Sequence, residues 1–88
     1  MVEHVLKCWP EQFLEIRKGY KTFEFRKNDR GFKTWDRLRL QEFDPETGTY
    51  SGEEEKVEVQ HILSEGFGLP DGYVVMSFRK LHFGSVYP

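Results

Sequence analysis

The run from Gly19 to Arg30, GYKTFEFRKNDR, alternates large apolar residues with polar ones and then becomes wholly polar. A two-residue period is that of a β-strand, so Phe23 and Phe25 are predicted to face one side and Thr22, Glu24 and Arg26 the other. The apolar pair is the predicted core face. The opposite face gathers Glu24 and Arg26, with Lys21 just upstream, either as a solvated surface or as the start of a site.

Upstream, Glu3 to Cys8 reads as a short strand with His4, Leu6 and Cys8 on one side and Val5 and Lys7 on the other. Pro10 followed by Glu11 is a helix start, and Arg17, Lys18 and Gly19 make the matching stop. Phe13, Ile16 and Tyr20, with Leu14 beside them, form a stripe able to pack on a sheet. Downstream, Asn28, Asp29 and Gly31 carry turn chemistry. Arg37 to Phe43 alternates again, and DPETG at 44–48 is a hairpin signal leading to strand segments at 49–51 and 56–63. Tyr73 to Lys80 is apolar enough to be a central strand. Five to six mostly antiparallel strands with one helix after the first predict an α+β, mainly β domain. A small barrel would leave the fewest exposed edges.

The chain has 88 residues, room for one domain, residues 1–88, with a core at about 4–80 and a tail at 82–88. Its net charge is −2, but residues 17–39 hold nine of the thirteen Lys and Arg against three acids, a local +6. Such asymmetry is the footprint of an anion-binding patch on an otherwise acidic protein. Glu53, Glu54 and Glu55 read as a solvated edge. No apolar run approaches the roughly 18 residues of a membrane span, and no signal peptide is visible. The lone cysteine, Cys8, suits a reducing, cytoplasmic setting. His4, His61 and His82 lack ligand spacing, so neither a metal nor a cofactor is expected. Cys8 in an apolar strand reads as a packed thiol rather than a nucleophile.

Gly19, Lys21, Glu24 and Arg26 form the pattern GxKxxExR. With the strand, proline and helix before it, the pattern resembles that of ASCH domains, a branch of the PUA-like superfamily. The continuation RKNDRGF, the DPETG hairpin and the closing GYVVMSF resemble a small ASCH-related, RNA-binding-like family often met in phages and prophages. The likeness runs roughly from His4 to Phe78. Two positions depart from the pattern: Trp9 stands where a basic residue usually precedes the proline, and Trp35-Asp36 replaces a Gly-Asp pair.

The resemblance implies a PUA-like pseudobarrel whose motif strand faces a cleft. Ligand contacts are then expected from Lys7, Tyr20, Lys21, Glu24, Arg26, Lys27, Asn28, Arg30 and Trp35. Arg26 suits a phosphate or base edge, Lys21 supplies a point charge, and Glu24 either orients Arg26 or accepts from a base amine or ribose hydroxyl. Tyr20 or Trp35 would offer a stacking surface, unless Trp35 packs under its loop. The expected partner is RNA or a nucleotide. The competing reading is an ion pair of Glu24 and Arg26 that merely fastens the strand. The resemblance also admits a modified-nucleoside amidohydrolase of the acetylcytidine type, with Lys21, Thr22 and Glu24 as its reactive residues and Glu65 as a further candidate by location. There Glu24 stands where the enzyme pattern has threonine. A nonenzymatic nucleotide pocket would use the same residues.

Overall fold

The computed structural model describes residues 1–81; the tail at 82–88, with His82, lies outside them. Its elements are β1 (Glu3–Cys8), α1 (Pro10–Lys18), β2 (Phe23–Lys27), β3 (Arg37–Asp44), β4 (Thr49–Ser64) and β5 (Tyr73–Lys80). The strands form one sheet in the order β1-β3-β4-β5-β2, parallel only between β1 and β3. The two segments predicted at 49–51 and 56–63 are one continuous strand of 16 residues. The sheet curls into a half-barrel, with β1 and β2 as its two end strands.

Helix α1 begins at Pro10, whose missing N–H costs nothing in a first turn. It ends at Gly19, which takes the left-handed φ of 85° and donates its N–H to Ile16 O. That reversal limits the apolar stripe. Phe13 and Ile16 are buried as predicted, but Leu14 stays half-exposed, and Tyr20, swung off the helix beyond Gly19, is 79% exposed. The two buried side chains meet Leu6 and Cys8 of β1, Leu38 and Leu40 of β3, Val57 and Val59 of β4, and Val74, Met76 and Phe78 of β5 in a single core.

The predicted orientation of β2 is reversed. Phe23 and Phe25 are 46% and 49% exposed, whereas Glu24 is 4% exposed. Register is the cause: Glu24 lies opposite Met76 and Arg26 opposite Val74, while Phe25 lies opposite the half-buried Val75. Because β5 turns Val74, Met76 and Phe78 into the core, β2 must turn Glu24 and Arg26 the same way. Phe25 instead stacks on Tyr73 on the outer face, centroids 5.4 Å apart. Phe25→Ala should therefore cost about 1–2 kcal/mol in urea denaturation, well short of the roughly 3–5 kcal/mol of a core phenylalanine.

A second buried polar group fixes β1 against the chain entering β3. Asp36 is 3% exposed and accepts from His4 Nε2 at 2.8 Å, Val2 N at 3.1 Å and Lys33 N at 3.0 Å. Burial alone would raise its pKa. The hydrogen bonds from His4, Val2 and Lys33 outweigh that penalty and hold the carboxyl below the ordinary aspartate range. Phe32 sets its ring edge-on to His4, with centroids 4.7 Å apart.

Candidate functional site

The end strands β1 and β2 are not joined by backbone pairing, and the gap between them is a cleft of about 500 Å³. Side chains bridge it. Arg26 Nη2 donates to Lys7 O, and Arg30 Nη1 donates to Val5 O at 2.9 Å. Val5 and Lys7 alternate along β1, so both carbonyls point from its free edge, and two guanidinium groups occupy what a sixth strand would otherwise claim.

Glu24 lies at the base of the cleft. Its Oε2 accepts from Arg26 Nε at 2.7 Å, and its Oε1 lies 3.5 Å from Lys21 Nζ, which also donates to Gln12 Oε1 of α1 at 2.8 Å. The helix stop is what makes this possible, since the N–H groups of Tyr20 and Lys21 both return to Glu15 O and deliver Lys21 beside β2. The motif thus ties α1, β2 and β1 together. Cys8 lines the same cleft but is 3% exposed, and burial, then the nearby Glu24 carboxylate, push its thiol up to about 11. At neutral pH it carries its proton and has no nucleophilic thiolate.

Five cations line the cleft, Lys7, Lys21, Arg26, Lys27 and Arg30, against the two carboxylates Glu24 and Asp29. Six of the nine residues expected to contact a ligand are therefore brought together: those five and Glu24. The other three are elsewhere. Tyr20 is exposed beyond the helix end. Asn28 is engaged in its own turn, where its Oδ1 accepts from Phe32 N at 2.9 Å. Trp35 stands before β3 with its N–H on Val59 O and its ring 58% exposed, neither packed under its loop nor lining the cleft. It holds a left-handed φ of 76°, a conformation natural to glycine and costly for a bulky residue. Of the amidohydrolase set, Lys21 and Glu24 share the cleft, while Thr22 and Glu65 do not line it.

The basic window divides once folded. Arg17 pairs with Glu53 and Glu55 and Arg39 with Glu54, so the glutamate run is largely neutralised from within. Sequence reasoning missed the contribution of Gln12, the Asp36 clamp and the aromatic pair of Phe25 and Tyr73. Asp36 stood in the sequence as one residue of a turn, and its burial depends on His4, 32 positions away.

Residues 3–78 match the family described as Domain of unknown function (DUF3850). The chain belongs to this family. Both end strands and every residue of the motif fall within the span that defines the family, so the cleft is part of the family's own domain. No curated protein matches the chain. Among the described residues, no group of three or more His, Cys, Asp and Glu side chains could hold a metal ion, and no helix is long and apolar enough to cross a membrane.

Proposed function

We propose that the cleft between β1 and β2 binds single-stranded nucleic acid, RNA foremost, without catalysing a reaction on it. The observation that carries this reading is the convergence of five cations on a cavity whose floor is a buried carboxylate. The cations attract the phosphate backbone. Glu24, already held by Arg26 and Lys21, keeps lone pairs able to accept from a base amine or a ribose 2′-hydroxyl, and the latter is what distinguishes RNA from DNA. The likeness of Gly19, Lys21, Glu24 and Arg26 to the ASCH motif supports the same reading. The volume, about 500 Å³, is that of a site for a nucleotide-sized group.

Lys27 gives the cleanest test, because its side chain has no hydrogen bond or ion pair among the described residues and its loss leaves no internal partner stranded. In fluorescence anisotropy with a labelled single-stranded RNA, affinity is expected to fall steeply with salt. Lys27→Ala should lower the magnitude of that slope by about 0.7, the value of one lost phosphate contact on a single strand. Absence of RNA binding at low salt, or binding insensitive to salt, would overturn the reading. A shallow slope with tight binding of a mononucleotide would replace it with a nucleotide pocket.

A further inference from the structure

We propose that the outward ring of Phe25, backed by Tyr73, is the platform on which the cleft stacks one unpaired base. The inference rests on the nucleic-acid reading above and goes beyond it by assigning the base contact to a residue outside the expected set. Neither aromatic expected to stack, Tyr20 or Trp35, lines the cleft, whereas Phe25 and Tyr73 both do.

Three features make Phe25 a platform. Its ring is 49% exposed, yet it is held in place, nearly parallel to Tyr73 with 25° between the planes. One ring face is thus occupied by Tyr73, and the exposed remainder is open to a ligand; a ring already ordered loses little entropy on binding. Second, β2 is an end strand, so a group on its outer face sits at the rim of the cleft and a base can reach it without entering the core. Third, Lys27 projects from the same face of β2 two residues on, directly opposite Tyr73 in the sheet register. Alternate strand residues are about 7 Å apart, which sets an ammonium beside the platform to meet the phosphate of the nucleotide stacked there. Aromatic and cation side by side are what single strands require, since every base has a π-face and every nucleotide a charge. A duplex would not fit this platform, because the faces of its bases are covered by their neighbours.

The test uses short RNA strands carrying 2-aminopurine, whose fluorescence falls when the base stacks, together with an abasic strand and a duplex of the same length. The wild-type protein should quench the single strand and bind the duplex more weakly. Phe25→Leu keeps an apolar side chain but removes the ring. It should weaken binding of the base-carrying strand by about 5- to 150-fold, the range of one lost base stack, abolish the quench, and leave the abasic strand unaffected. Phe25→Trp should retain both, which separates lost stacking from a misfolded variant. If Phe25→Leu binds and quenches like the wild type while Lys27→Ala still lowers the salt slope, the platform is wrong and the nucleic-acid reading stands. Trp9, between β1 and α1, also lines the cleft and is 61% exposed; a loss confined to Trp9→Leu would put the base there and overturn the platform as well. If the wild type binds none of the strands, both proposals fail.

Discussion

Asp36→Ala is expected to lower the unfolding free energy by about 3–5 kcal/mol in urea denaturation at pH 7. The carboxylate accepts from three donors, Val2 N, His4 Nε2 and Lys33 N, and its removal leaves them without their acceptor in a region where His4 is itself 8% exposed. The buried His4 donor left unpaired costs about 1–3 kcal/mol, and the part-buried N–H groups of Val2 and Lys33 add less each. Asp36→Asn, with one carbonyl oxygen in place of two carboxylate oxygens, should lose roughly half as much. The acid dependence has a definite sign. Because the folded-state pKa is lowered, the clamp's contribution is fully present above the ordinary aspartate value of 3.8 and is lost as the pH falls from there through the lower folded-state value. The gap between wild type and Asp36→Ala should therefore narrow on acidification below that value. A cost under about 1 kcal/mol at neutral pH, or a gap that widens in acid, would show that Asp36 does not hold β1 in place.

The second large effect belongs to the motif. Arg26→Ala is expected to destabilise the protein by about 2–3 kcal/mol, and Glu24→Ala by a similar amount. A ligand-facing cation with no role in the fold would be removable without loss of stability. Arg26, however, pairs at 2.7 Å with a carboxylate whose side chain is 5% exposed, and it also donates to the free edge of β1. Removing one partner of a buried pair costs about 3–5 kcal/mol; 27% exposure of Arg26 and the second cation, Lys21, reduce the figure here. The double variant should be less destabilised than the sum of the two singles, with a coupling of about 1–2 kcal/mol. Strict additivity would mean that the pair does not act as a unit. The two readings of the motif thus describe different atoms: Glu24 with Arg26 fastens the gap between the end strands, while under the proposed function Lys27, Lys7 and the remaining lone pairs of Glu24 are the groups that would meet a ligand.

The helix from Pro10 to Lys18 and the strand limits at 3–8 and 73–80 were legible because each has a local cause: a proline and a glycine at the ends of the helix, and short apolar runs bounded by Pro10 or by the glycine-rich loop before Tyr73 for the strands. Three residues of the motif, Lys21, Glu24 and Arg26, line the cleft. The five expected cations and Glu24 do converge on the cleft, because β2 and the short segments on either side of it carry all of them except Lys7, which β1 brings to the other side of the gap. Tyr20, Asn28 and Trp35, expected at the ligand from the resemblance, do not line the cleft, because the backbone turns at each. Gly19 swings Tyr20 away, the turn from Asn28 to Phe32 engages Asn28, and the left-handed backbone at Trp35 redirects its ring.

The sequence by itself determined which residues of β2 share a face, because a strand's period is two whatever surrounds it. Which face turns inward was decided only by the tertiary structure. Hydrophobicity argues for burying Phe23 and Phe25, but the register with β5 sets Glu24 across from Met76, and an end strand of a half-barrel need not present an apolar face to the core. There the inner face borders an open gap, where a carboxylate can be buried against two cations and a phenylalanine can remain outside on a tyrosine. Alternation is a property of the local backbone, whereas inward and outward are properties of the assembled sheet.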